Sequence, residues 1–408
     1  MKRAYILLVA LMWGCSESPQ SDAENLEPLL EEEVAAPISF STTPSVSIST
    51  RSDIVNESAD IASFGVYAYS TTADYDPYDL EILKSDESNV MLNRRVQRAD
   101  LTDNTSSWSY TPIEYWDVST EDEEGNAYGD DEMPALYFLA YSPYSSGLID
   151  TSVDGETNEE LGSNYDVNVD NGINSYKNNN YIYISYTMPS DVHNQPDILV
   201  SEPVVKGYVK SNESDNTDCE PVSFTFNHTL AAVGFKLDGN TSYQVLAVAL
   251  VGIYDYADLV LGTDANDWDN KSSRYNKDDD IFYNSNNSYY YYYSTLATGL
   301  YFAGLSQEEG ALIPDADSTT PKIISSDDGY LMVIPQSIVN DVRLHVQYTY
   351  ASESIPEDYD QVKGYVQAYS SYSWLKTYDF DIFALDYYLG GSRGWYGNNN
   401  YYYVITLP

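Results

Sequence analysis

The sequence predicts an all-β protein built as two β-sandwiches in tandem, and three observations carry that expectation. Short runs of alternating or continuous apolar residues recur along the chain, bounded by Gly, Asn, Asp and Ser clusters. No alternation of strand-like and helix-like segments interrupts them, as a parallel α/β sheet requires. Tyrosine reaches 42 of 408 residues, against 10 Phe and 6 Trp; its ring favours pleated surfaces where one end is buried and the other wet.

Size and charge narrow the classes. A chain of 408 residues accommodates two ordinary domains, and 43% hydrophobic content supplies a sizeable core. The formal charge is -45 with a pI near 4.1. Such a surface repels nucleic acid and anionic lipid, and it suits a self-repelling extracellular protein. The two cysteines, Cys15 and Cys219, form no disulfide framework and no Cys-based zinc site.

The elements follow in order. Residues 1–15, MKRAYILLVALMWGC, begin with Lys2 and Arg3 and continue as an apolar run of signal-peptide length, too short to span a bilayer. The run stops at Cys15, the position of the lipidated cysteine in a bacterial lipoprotein signal, so Cys15 is the expected membrane anchor. Residues 16–36 are acidic and polar and read as a tether. The first sandwich is expected over residues 37–212. Its strand-like runs are Ile38-Ser39-Phe40, Val46-Ser47-Ile48, FGVYAY at 64–69, WSYTPIEYW at 108–116, ALYFLAY at 135–141 and YIYISY at 181–186. Residues 119–132 and 151–180 read as long polar loops.

An acidic linker at 211–220 leads into VSFTFNHTLAAVGFKL at 222–237, read as the opening of the second sandwich, 213–408. Val222, Phe224 and Phe226 alternate with polar partners; Asn227, His228 and Thr229 break the pattern; Val233, Phe235 and Leu237 resume it. Further strands are expected at 243–253, 342–350, 374–383 and 401–407. Alternation assigns Phe224, Phe226, Phe235, Leu344 and Val346 to the core. No segment reads as a convincing helix.

The chemical motifs are weak. Gly390, Ser392 and Gly394 have the spacing of a nucleophile elbow, but no helix pattern and no histidine follow them. His193, His228 and His345 form no ligand pair and read as strand-edge or surface residues. Asp166, Asn168 and Asp170 alternate like calcium ligands, yet Asn171 and Lys177 stand where an EF-hand needs Gly and an acid. The oxygen-rich stretch 264–280 contains Trp268 and Lys271, and both loops read as solvated acid. No metal, cofactor or enzymatic activity is expected. Tyr289, Tyr290, Tyr291, Tyr292 and Tyr293 form an unbroken run, read either as a strand with Tyr on both faces or as a contact surface for protein or glycan.

Taken in order, ISF at 38–40, Thr50-Arg51, FGVYAY, WSYTPIEYW, LYFLAYSPY at 136–144, QPDILVSEP at 195–203, FNHTLAAVGFKL at 226–237, LMVIPQSI at 331–338 and WYGNNNYYYVITL at 395–407 resemble the fimbrillin family. These are type V pilus subunits and related surface lipoproteins of Gram-negative bacteria. The resemblance implies two transthyretin-like sandwiches and a fimbrial or adhesive role at the outer membrane or cell surface. It implies other pilus subunits as partners, with a host protein or glycan as a further ligand. It also implies maturation by a protease cutting after Arg51, before Ser52, so that the first strand leaves and a partner's strand fills its place. The chain ends at Pro408 without an evident appended donor strand, which favours a tip, accessory or anchor member over a stalk subunit. The alternative is a glycan-binding lipoprotein of a polysaccharide-uptake system, using Tyr289–Tyr293 or Trp374.

Overall fold

The computed structural model describes residues 36–44, 61–84, 89–99, 107–117, 133–145, 148–150, 173–178, 181–189, 195–208, 220–238, 242–253, 256–262, 301–302, 322–323, 330–337, 342–357, 374–382, 394–395 and 400–406, with 119, 127–129 and 359. The strands begin β1 (Phe40–Pro44), β2 (Ser63–Thr72), β3 (Asn89–Arg98), β4 (Trp108–Ser109), β5 (Pro134–Ser142), β6 (Leu148–Asp150), β7 (Ile173–Asn178) and β8 (Tyr181–Thr187). Next come β9 (Leu199–Ser201), β10 (Val204–Gly207), β11 (Val222–His228), β12 (Ala231–Asp238), β13 (Tyr243–Val251), β14 (Tyr256–Val260) and β15 (Tyr301–Phe302). The last are β16 (Lys322–Ile323), β17 (Tyr330–Val333), β18 (Gln336–Ser337), β19 (Arg343–Tyr350), β20 (Lys376–Asp381), β21 (Gly394–Trp395) and β22 (Asn400–Thr406). A 3-10 turn occupies Leu80–Lys84. The protein is all-β, as its patterning predicts.

One eight-stranded sheet organises the described residues. Its order is β1-β11-β9-β5-β2-β3-β4, with β10 also pairing β5. Three four-stranded sheets accompany it: β14-β8-β7-β6, β15-β13-β19-β20, and β16-β12-β17 with β22 on β12. Strands from both sides of residue 212 share sheets. β11 pairs β9 antiparallel and β1 parallel, and β14 pairs β8 antiparallel. The stretch 222–237 contributes to two sheets. Its first half, β11, belongs to the eight-stranded sheet, and its second half, β12, belongs to another. The change happens at the polar break Asn227-His228-Thr229.

The side-chain period of two divides the core. On β2 and β5 the even-numbered residues Phe64, Val66, Ala68, Leu136, Phe138 and Ala140 face one apolar cluster, shared with Phe224 and Phe226. The odd-numbered Tyr67, Tyr69, Tyr137, Leu139 and Tyr141 face a second, shared with Phe235, Leu344 and Val346. Both faces of β5 are thus covered, which explains its near-continuous apolar run. The core residues expected from alternation are all buried.

The buried tyrosines correct the expectation of half-wet rings. Tyr67 and Tyr141 are fully buried. Tyr67 Oη lies 2.5 Å from Ser175 Oγ. Tyr141 Oη donates to Asn93 Oδ1 at 2.8 Å and lies 3.0 Å from Ser145 O. Burial pushes both phenols well above their ordinary pKa, so they stay protonated, and their hydrogen bonds offset the desolvation of the hydroxyls. Asn93 reaches this position from a left-handed backbone conformation, φ 45°, next to register shifts between β2 and β3.

Two further expectations change. The polar stretch 151–180 contains a strand, β7, antiparallel to β8 and parallel to β6. The described histidines are not surface residues. His228 is fully buried, and its Nδ1–H donates to Asp197 Oδ2 at 2.8 Å. His345 is buried on β19 and its Nδ1–H donates to Asp379 Oδ1 of β20 at 2.7 Å. Gln347 and Thr349 share that second face of β19 and are also buried. Tyr359 Oη donates to Gln347 Oε1 and Thr349 Oγ1 donates to Trp374 O, each at 2.6 Å. Polar residues on a strand's outer face read as solvated until their partners, distant in sequence, are known.

Candidate functional site

The N-terminal strand and its seat form the arrangement most suited to function. Residues 36–42 alternate strictly: Ala36, Ile38, Phe40 and Thr42 are buried, while Pro37 and Ser39 are exposed and Ser41 lies between. That is the period of a strand with one face inward. Phe40 enters a pocket of four rings. Phe224 stacks on it at 5.7 Å between centroids, Tyr110 lies at 5.3 Å, Phe64 at 6.1 Å and Phe138 at 6.2 Å, the last two edge-on. Aromatic pairs at these separations contribute about 0.5–1.5 kcal/mol each beyond the area they bury.

Two different main-chain partners hold this strand. Along β1 the pairing is parallel to β11, from Phe40 opposite Val222 to Pro44 opposite Phe226. Val222 N–H donates to Ser39 O at 2.8 Å. One turn earlier the partner is the segment 110–116, which crosses over from the far edge beyond β4. Ile38 N–H donates to Glu114 O and Trp116 N–H donates to Ala36 O, both at 3.0 Å, and Pro37 bridges Tyr115 in antiparallel sense. Tyr110 Oη donates to Ile38 O at 2.9 Å.

The segment 110–116 is itself anchored. Arg94 of β3 donates from Nη1 to Thr111 O at 3.0 Å and from Nη2 to Glu114 Oε1 at 3.2 Å. Arg98, buried on the same strand, lies 4.4 Å from the Trp108 ring, within cation–π range. Arg94 and Arg98 of β3 thus act on an aromatic strap, and the strap covers the N-terminal strand. The WSYTPIEYW motif marks the strap in the sequence; its contact with residues 36–40 is not readable there, because the partners are some seventy positions apart.

Burial pushes the Tyr110 phenol up from 10.0 to about 12, against the lowering effect of its backbone hydrogen bond at Glu114. The folded state holds this proton more tightly than the unfolded chain does. Its contribution is therefore complete below pH 10 and is lost as pH rises towards about 12. The denaturation midpoint should fall across that window, and the fall should be smaller in Tyr110→Phe. Identical profiles for the two proteins would show that this hydroxyl does not hold the strand.

Most positions singled out from the sequence lie outside the described residues: Cys15, Arg51, Ser52, Cys219, His193, Tyr289–Tyr293, Ser392 and the oxygen-rich loops at 166–170 and 264–280. Gly394, the last glycine of the elbow-like spacing, is buried in β21 and pairs with Ser337. A strand, not the helix an elbow needs, thus begins at that glycine. Trp374 is half-buried edge-on to Tyr359 at 5.8 Å. Among the described residues no group of three or more His, Cys, Asp or Glu is placed to hold a metal ion, and no helix is long and apolar enough to cross a membrane.

No family model matches the chain, and no curated protein matches it in sequence. Solved structures do match. A candidate cell adhesion protein from Bacteroides uniformis aligns with 91% of this chain and 93% of its own, at 14% identity and a TM-score of 0.41. A fimbrial protein from Bacteroides ovatus aligns with 91% of this chain and 49% of its own, at 11% identity and a TM-score of 0.31. A fimbrilin from Porphyromonas gingivalis aligns with 85% of this chain and 81% of its own, at 11% identity and a TM-score of 0.29. The chain's structural neighbours are therefore candidate cell-adhesion proteins and fimbrial proteins, matched over most of its length at low identity.

Proposed function

We propose that this protein is a fimbrillin-like surface subunit, exported as a lipoprotein on Cys15, that works by assembly and adhesion and not by turnover. The observation that carries the reading is the seating of residues 36–44. Residues 40–44 form the terminal strand β1 of the eight-stranded sheet and residues 36–38 bond to the segment 114–116, so the stretch is held by main-chain pairing and by alternate side chains. Such a strand is separable: its described contacts are of the kind another extended chain can reproduce. Its removal uncovers part of Phe224, Phe138 and Phe64, an aromatic floor that is costly to leave in water at about 25 cal/mol for each Å² of apolar area exposed. A vacated groove therefore favours uptake of a replacement strand.

Maturation by cleavage after Arg51 fits this reading, since it releases the chain from Cys15 through Arg51 and with it the strand. The incoming strand belongs to another subunit, and the assembly forms at the cell surface. The test is the N-terminus of the protein recovered from assembled surface material. A chain beginning at Ser52 is the expected result. Assembled subunits that still carry residues 36–44 would overturn strand addition at this site, and a palmitate-analogue label that survives Cys15→Ala would overturn the anchor.

A further inference from the structure

We propose that the groove around residues 36–44 selects its strand by an aromatic ring in a fixed frame, with Tyr110 reading that frame. The inference rests on the strand-addition reading and names the partner's chemistry: an uncharged extended segment, running parallel to β11, with an aromatic side chain where Phe40 stands and smaller apolar side chains two and four positions before it.

The frame follows from the geometry. Among the buried positions of the resident strand, only Phe40 is aromatic; Ala36, Ile38 and Thr42 are smaller. Four rings surround Phe40 at 5.3–6.2 Å, a lining of flat faces and edges that a branched aliphatic side chain fits poorly. A one-residue slip turns every inward side chain outward, which would put the ring in water and a serine in the pocket.

Tyr110 couples the two parts of the frame. Its ring forms one wall of the aromatic pocket, and its hydroxyl donates to Ile38 O, two residues earlier on the same strand. A single side chain thus measures the spacing between a backbone carbonyl and an aromatic ring. Arg94 fixes the strap directly after it, through Thr111 O and Glu114 Oε1. The main chain must then satisfy antiparallel bonding to Glu114 and Trp116 and parallel bonding to β11 within a few residues. Few registers meet both.

Charge adds a second filter. Residues 36–44 carry no charged side chain, whereas the whole chain is 20% charged with a net -45. A carboxylate placed at an inward position would be desolvated inside a strongly acidic protein, with the rings offering no partner.

The experiment uses the full-length protein cut after Arg51 by an Arg-specific protease, and a fluorescein-labelled peptide of sequence 36–44 as the probe, read by anisotropy. The expected result has three parts. The native peptide binds. The Phe40→Ala peptide binds about a hundredfold more weakly, as the removal of a buried ring implies. The composition-matched Phe40→Ser/Ser41→Phe peptide shows no saturable binding. In the protein, Tyr110→Phe keeps the ring and loses the carbonyl contact, so it should weaken the native peptide about fivefold while leaving the Phe40→Ala preference in place. Equal binding of the native and exchanged peptides would overturn the aromatic frame while leaving strand addition standing. A cut protein that retains residues 36–44 against excess peptide, or takes up no peptide after losing them, would overturn strand addition and the frame with it.

Discussion

Phe224→Ala should destabilise the protein by about 3–5 kcal/mol, the range for deleting a fully buried ring from a core that cannot collapse onto the space. Phe224 is fully buried. Its ring contacts Phe40, Phe64, Phe138 and Phe226 at 5.7–6.3 Å, so four neighbours lose a packing surface together. The strands that carry them, β1, β2, β5 and β11, span most of the eight-stranded sheet. Relaxation of one would strain its hydrogen bonds with the next, which keeps the cavity open. A chemical denaturation series measures the loss, with Val404→Ala as the control. Val404 is 51% exposed on β22, so its truncation should stay within about 0.5 kcal/mol of the parent. The two variants should also differ in limited proteolysis. Phe224→Ala removes the stacked floor under Phe40, so residues 36–44 should become cleavable before the rest of the protein unfolds. A Phe224→Ala loss under about 1 kcal/mol would mean that the ring does not occupy the centre of this cluster.

What the sequence revealed of this fold was its local period. Alternation finds Phe224, Phe226, Phe235, Leu344 and Val346 because burial on one face leaves a mark at every second residue. It cannot show that the first two belong to one apolar cluster and the other three to another, because sheet membership depends on pairing far along the chain. β3 escaped notice for a different reason. Its sequence, NVMLNRRVQR, carries three arginines that interrupt an apolar alternation, yet Arg98 is buried beside Trp108 and Arg94 ties down the strap. The candidate site was half legible. The apolar alternation at 38–40 marked a strand, and the resemblance implied processing after it. The strap across it depends on main-chain bonds between residues 36–38 and 114–116, which leave no trace in composition.

Asp197→Ala should cost about 1–3 kcal/mol, by taking from the buried His228 Nδ1–H its carboxylate acceptor. Asp197 precedes β9 and His228 ends β11, and their side chains are 1% and 0% exposed. The same short stretch carries other polar ties. Thr229 N–H and Oγ1 each lie 2.9 Å from Ile198 O, closing β11 onto the start of β9. Gln195 Oε1 accepts from Met332 N–H of β17 at 3.0 Å, and its Nε2 donates to Pro189 O at 2.9 Å. Residues 195–198 and 227–229 thus form a polar seam at the place where the chain leaves the eight-stranded sheet for the sheet of β12 and β17. The seam lets β11 end and β12 begin with no helix or long loop between them, since the turning backbone finds partners at once. Conservative and drastic replacements should separate accordingly. Asp197→Asn retains an acceptor for His228 Nδ1–H and should lose less than Asp197→Ala. The double variant Asp197→Ala/His228→Ala should recover part of the loss, because removing both partners leaves no buried ionisable group unanswered. A coupling of about 1–3 kcal/mol in that cycle is expected from a pair in direct contact. Strict additivity of the two single variants would show that His228 and Asp197 do not act as a pair, and would leave Thr229, Gln195 and the main-chain pairing of β11 with β9 as the described ties at this junction.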